Sequence, residues 1–297
     1  MRNFEVVVDN LIGQVEPQEV SILPESRDIA IRGLEEKERR YGEESEHHMA
    51  YHNVGHDIDV TSRDIRLTNL LYRFVPEEYR EGLYDKIIVK DPWHDWERLL
   101  SGPGANERAS ADRVIEEIEN SGSPVLNTER FKTSIDLGIM ATQMERVDGD
   151  FVQVNLRTGE PDPSILLGAW ADIGGVPMEG IKRAKLDAVD LCHEDHPDPS
   201  LRQLLDYFLI QPDFFKNVVD DATVLPNIEY YFPQNAEEVY GVLRKAFHSN
   251  IVTTYKTLMF IRNHPEVETA MLRGAGLLDR MHVGSAIGGL ISKAAKL

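Results

Sequence analysis

In Tyr51-His52-Asn53-Val54-Gly55-His56-Asp57-Ile58-Asp59-Val60, two imidazoles stand four residues apart, within an apolar period that runs on through Ile65, Leu67, Leu70, Leu71 and Phe74. That period predicts a helix over 49–74, halted by Pro76. On such a helix His52 and His56 lie one turn apart on a common face. Thirty-eight positions beyond His56 stands His94, in Pro92-Trp93-His94-Asp95-Trp96, and much later comes Ala169-Trp170-Ala171-Asp172-Ile173. Each segment sets its polar group in an apolar frame. Burying an ionised carboxylate there is costly unless a cation or donors offset it. A metal site is the simplest reason to bring these groups together. Imidazole plus carboxylate suits Mn, Fe, Co, Ni, Zn or Mg, with water in the remaining positions.

Working outward, Pro24-Glu25-Ser26 opens a helix carried by Ile29, Ile31, Leu34 and Tyr41. Residues 79–100 read as a further helix leading through Leu83, Ile87, Ile88 and Val89 into His94-Asp95. A loop at 102–106 precedes a helix to about residue 119. The polar first turn of that helix, with Asn106 and Arg108, serves either as a contact to substrate and ligands or as plain N-capping. Residues 128–146 predict a helix that ends near Gln143 and Arg146. Residues 147–163 form a hairpin or loop insertion around Phe151-Val152-Gln153-Val154-Asn155-Leu156, which either covers the site or pairs with the N-terminus. Residues 164–173 resume a helix in which Asp172 is the one acid, a ligand or a cap.

At the N-terminus, Phe4-Glu5-Val6-Val7-Val8 reads as an extended arm. His47-His48 read as incidental, and Cys192-His193-Glu194-Asp195-His196-Pro197-Asp198 as a solvated acidic loop. Helices are expected at 201–210, 236–263 and 265–278, with a small-residue tail from 283 to 297. Their role is packing, self-association into a homo-oligomer, or one wall of a pocket.

The chain is 41% hydrophobic and 28% charged, as a globular protein is. Its net charge of −19 argues against attraction to nucleic acid or an anionic membrane. The single cysteine, Cys192, excludes an internal disulfide framework and suits a reducing compartment. The N-terminus is too polar for a signal peptide, and no apolar run reaches about 18 residues, so a cytoplasmic location is expected.

His56, His94-Asp95 and Asp172 resemble, in order and in helical frame, the His…His-Asp…Asp signature of the HD-domain superfamily of metal-dependent phosphohydrolases. Tyr51-His52-Asn53-x-x-His56 resembles the corresponding segment of cyclic-nucleotide phosphodiesterases and many bacterial HD hydrolases. Asn106-Glu107-Arg108-Ala109-Ser110-Ala111 resembles the Glu-rich helix start that follows the His-Asp pair in such proteins. The resemblance covers roughly residues 30–190. It implies an all-α HD-type core (26–200), to which the residues themselves add a short N-terminal β arm (1–25) and a C-terminal helical extension (201–297). It also implies that His56, His94, Asp95 and Asp172 hold a divalent ion, and that His52 gives a proton to the substrate.

A metal-activated water attacking a small phosphorylated substrate, above all a nucleotide, fits these residues without the family. Asp95 bridges the metal or orients the water. Asn53, Asn106, Arg108, Gln143 and Arg146 are the candidates for substrate binding. Asn53 also distinguishes the segment from the zinc-protease helix, which needs a glutamate there. No histidine lies between Asp95 and Asp172. That favours one tightly held ion, with any second held mainly by carboxylates and water. Cleavage of a cyclic or linear diester, and metal or nucleotide binding without turnover, are the rival expectations.

Overall fold

The computed structural model describes residues 2–16, 20–148, 150–211, 221–264, 266–267 and 269–270. Among them are thirteen α-helices and one two-stranded hairpin, the all-α class expected. In chain order the helices are α1 (Phe4–Ile12), α2 (Pro24–Tyr41), α3 (Val54–Leu71), α4 (Glu77–Arg80), α5 (Leu83–Lys90), α6 (Ala105–Asn120) and α7 (Glu129–Met140). After the hairpin, β1 (Met144–Val147) and β2 (Asp150–Gln153), come α8 (Pro163–Ile173), α9 (Gly175–Glu179), α10 (Ile181–Asp195) and α11 (Leu201–Leu209). The last two are α12 (Asp221–Tyr231) and α13 (Ala236–Asn263). No described helix is long and apolar enough to cross a membrane.

α3 is the hub, packed against α1, α2, α5, α8, α9 and α13. A surface helix buries one stripe, whereas α3 buries Val60, Ile65, Leu67 and Leu71 together with His56, Asp57, Arg63 and Asp64. On one side Leu67 and Leu71 join Trp170 of α8, Ile228 of α12 and Leu243 of α13 in the largest apolar cluster. On another, Val54 and Ile65 meet Phe4 and Val8 of α1, Leu34 of α2 and Ile87 of α5. α2 and α5 also pack on α6 and α7 around Trp93. Trp93 Nε1 donates to the Ile29 carbonyl at 3.0 Å. The approach is close enough that a Cβ on Gly33 would lie 2.6 Å from that nitrogen.

Buried cations fix the ligand-bearing segments. Lys90, 2% exposed, sits 3.1 Å from Asp64 Oδ2 on α3 and 3.3 Å from Asp91 Oδ1. It also donates to the Ser164 carbonyl on α8 at 3.0 Å. One ammonium thus ties together the three segments that carry His56, His94-Asp95 and Asp172. Lys86 repeats the device one turn away, 2.5 Å from Asp162, the residue that caps α8.

Several expectations need correction. The N-terminal arm is not extended: Asn3 caps α1 and Phe4, Val8 and Leu11 bury one helical face, which outweighs the β-branched run. α3 begins at Val54, not at 49, because Asn53 caps it, so His52 lies ahead of the helix. The stretch 79–100 is broken: Gly82, at φ 65°, separates α4 from α5, and Asp91–Trp93 tighten into a single 3₁₀ turn before His94. Cys192 to Asp195 are no loop but the last turn of α10, with Cys192 buried. α12 tolerates Pro226 inside it. The hairpin pairs with itself, Met144 opposite Gln153 and Val147 opposite Asp150, and not with the N-terminus. The expected helix at 265–278 lies largely, and the tail 283–297 wholly, outside the described residues.

Candidate metal centre

Three local structures present the four groups. His56 occupies the first turn of α3, whose start is fixed by Asn53: its Oδ1 accepts from Gly55 N at 2.7 Å and its Nδ2 donates to the Ala50 carbonyl at 2.6 Å. His94 and Asp95 follow the 3₁₀ turn of Asp91–Trp93, and Lys37 Nζ donates to the Asp95 carbonyl. Asp172 lies in the last turn of α8, where the helix has no basic residue. A carboxylate at that end opposes the helix dipole, so its placement is unfavourable without a nearby cation.

The four side chains converge: their ligand atoms all lie within 4.8 Å of one another. His56 Nε2 is 3.1 Å from Asp172 Oδ1 and 3.5 Å from Asp95 Oδ2. His94 Nε2 is 3.3 Å from Asp95 Oδ2 and 3.6 Å from Asp172 Oδ1. An ion about 2.1 Å from each atom sets neighbouring ligands about 3.0 Å apart in an octahedron and about 3.4 Å apart in a tetrahedron. The cluster matches that spacing. His94 Nδ1 is 2.6 Å from the Asp91 carbonyl oxygen, an acceptor only, so Nδ1 carries a proton and Nε2 is the atom turned to the cluster. Nε2 is buried and has no well-aligned hydrogen-bond partner. These residues fit a divalent metal, and two imidazoles with two carboxylates suit a transition ion better than calcium.

The electrostatics agree. Burial pushes His56 down to about 4, against the pull of Asp172 and Asp95, which leaves it neutral and able to coordinate. Burial opposes charge on His94 too, yet Asp95, Asp172 and Asp57 hold it well above the ordinary value, so without an ion the imidazolium is the cation that balances these carboxylates, and a bound ion would displace its Nε2 proton. Asp95 and Asp172 stay ionised despite burial. Arg98 and His94 hold the first well below the usual carboxylate range, and hydrogen bonds from His56 and His94 hold the second below it.

Asp95 and Asp172 open onto a cavity of about 260 Å³ lined also by Tyr51, His52, Arg98, Glu107, Met144, Ile173, Val176, Asp187 and Leu191. The His52 and His56 rings lie 5.7 Å apart even though His52 precedes the helix. Glu194, on α10, fixes His52: Oε1 is 2.5 Å from His52 Nδ1, and Oε2 accepts the backbone N–H of Tyr51 and of His52, each at 2.9 Å. Burial opposes ionisation of Glu194, but these donors bring its carboxyl down to about 2. Arg98 Nη1 is 3.1 Å from Asp95 Oδ1.

The residues expected to bind substrate are placed elsewhere. Asn53 is the cap of α3. Asn106 Oδ1 accepts from Leu100 N at 2.9 Å, so this residue closes a loop. Arg108 turns to Asp136, 2.5 Å away. Gln143 donates to Glu145 at 2.5 Å, and Arg146 lies 4.6 Å over the Phe151 ring. None of the five lines the cavity. Arg98, Glu107 and Asp187 do. Arg98, three residues past Asp95, and Glu107, inside the helix start already singled out, were the visible signals. Glu194 lies 142 positions from His52, and only the fold joins them. Comparison with protein families, with curated proteins and with solved structures gives no match, so the reading of this chain rests on its own residues.

Proposed function

We propose that the chain is an HD-type metal-dependent phosphohydrolase acting on a small phosphate ester, with His52 as proton donor to the leaving oxygen. One observation carries the reading: the two carboxylates of the four-residue cluster and a carboxylate-held histidine line one cavity. What a divalent ion supplies there when bound is Lewis acidity, which acidifies water and polarises a phosphoryl oxygen.

The chain's own groups supply the rest. His56, His94, Asp95 and Asp172 hold the ion. Arg98 holds Asp95 by its other oxygen, so the carboxylate presents Oδ2 to the cluster. Arg98 is also the one guanidinium lining the cavity among the described residues, and it can balance phosphate charge. Glu194 engages Nδ1 of His52 and leaves Nε2 as the ring atom that can deliver a proton. Met144, Ile173, Val176 and Leu191 give apolar walls on which a nucleobase can lie.

Protein groups alone leave the cavity acidic: Asp95, Glu107, Asp172 and Asp187 line it against Arg98, with Asp187 itself paired to Arg183 at 2.7 Å. These carboxylates repel a singly charged phosphodiester less than a dianionic monoester, and a bound divalent ion would narrow that difference. A cyclic or linear nucleotide diester is the second substrate class this reading admits.

The test is elemental analysis of purified wild type and Asp95→Ala, followed by assay with bis(p-nitrophenyl) phosphate, p-nitrophenyl phosphate and nucleotides in Mg, Mn, Co, Ni or Zn. One or two ions per chain, absent from Asp95→Ala, with diester turnover that His52→Ala slows while keeping its metal, is the expected result. Metal-loaded wild type without turnover on any substrate would replace this reading with a binding module.

A further inference from the structure

A second cavity, of about 140 Å³, lies behind the metal centre among α3, α8, α9, α12 and α13. Its body is apolar: Leu67, Trp170, Pro177, Val224, Leu243 and Phe247. Its size is that of protein cavities that hold a single aromatic ring. Two features set it apart from a packing defect. Trp170, 1% exposed, forms part of its wall, and the indole Nε1–H has no acceptor. Arg244 and His248, one turn apart on α13, also line the cavity, and both are exposed. Arg244 makes no ion pair among the described residues; its guanidinium leans toward the Tyr240 ring, 5.9 Å away. The one acid of the lining among the described residues, Asp221, already accepts a hydrogen bond from Tyr240.

The occupant that fits an apolar body with the Arg244 guanidinium and the His248 imidazole at its mouth is a small amphipathic anion. We propose that this cavity is a second ligand site, for an organic acid with an aromatic or short aliphatic body, whose carboxylate rests by Arg244 and His248. The proposal stands apart from the phosphohydrolase reading, because none of its residues is a candidate ligand or lines the first cavity. The two cavities share a partition. Asp172, Ile173 and Val176 face the first, while Trp170, Gly174, Pro177 and Met178 face the second.

The probe is fluorophenylacetate, followed by fluorine NMR against the full-length protein. Fluorobenzyl alcohol serves as the neutral counterpart and acetate as the anion without a body. Saturable binding of the acid at one site per chain is expected, weakened about two- to fivefold in Arg244→Glu, as an exposed charge pair is worth. The alcohol should bind more weakly than the acid to wild type and equally to both proteins. Arg244 is exposed, so the variant should keep the wild-type circular dichroism and melting temperature, which confirms that the loss is local. No saturable binding at millimolar concentration, acid binding unchanged in Arg244→Glu, or displacement by acetate alone would each overturn the proposal.

Discussion

Replacing Glu194 by Gln keeps the size of the side chain and one oxygen for the backbone N–H groups of Tyr51 and His52, but removes the charge that faces His52 Nδ1. A charge-assisted hydrogen bond becomes a neutral one, a difference of about 1–2 kcal/mol. If that bond holds His52 for proton delivery, kcat for a diester falls roughly five- to thirtyfold while metal content stays at the wild-type value. Stability changes with a defined pH dependence. The carboxyl is lowered in the folded chain from 4.5 to about 2, so its contribution is present above about pH 4.5 and lost as the pH falls through the folded value. That drop corresponds to at most about 3 kcal/mol. Urea unfolding of both proteins between pH 7 and pH 2.5 should show Glu194→Gln less stable at neutral pH, with the gap closing toward the acid end. A constant gap would show that the charge of Glu194 is not what the fold uses. Metal loss from the variant would show that Glu194 acts on the ligand cluster and not through His52.

Other outcomes follow from the same geometry. His94→Ala and Asp172→Asn should each weaken metal binding by about a hundredfold or more, read by chelator competition, since each removes one of four ligands. Lys90→Met leaves Asp64 and Asp91 buried without their cation and should cost about 3–5 kcal/mol, read as a lower urea midpoint. Gly33→Val forces a side chain into the Trp93 indole and should cost roughly 1–3 kcal/mol; a midpoint within error of wild type would show that α2 can shift away from Trp93.

The helices with a clear 3.6-residue period were legible, α2, α6, α8 and α13 within about two residues, and so was the convergence of His56, His94, Asp95 and Asp172. His94-Asp95 between two tryptophans and Asp172 as the one acid of its apolar run are local signals. The failures have local causes too. Val6-Val7-Val8 suggested a strand, but the Phe4, Val8 and Leu11 spacing suits a helix, and burial of that face decided the matter. The α3 start was misplaced because Asn53 was read for chemistry before capping. Contacts across long separations left no trace: Glu194 with His52, and Lys90 with Asp64 and Ser164, are properties of packing. Glu194 was set aside with its acidic neighbours, although α10 continues through it and aims it back at the cavity.

The partition formed by Trp170 to Met178 is the wall through which any coupling between the two cavities would pass. A molecule behind Trp170 that favours one placement of this wall changes the affinity of the centre in front of it, through Asp172. The change is reciprocal: whatever factor the organic acid imposes on metal binding, metal imposes the same factor on the acid. Two titrations, acid with and without metal and metal with and without acid, must therefore close to a single coupling free energy. A value of zero would mean that nine residues suffice to insulate one site from the other.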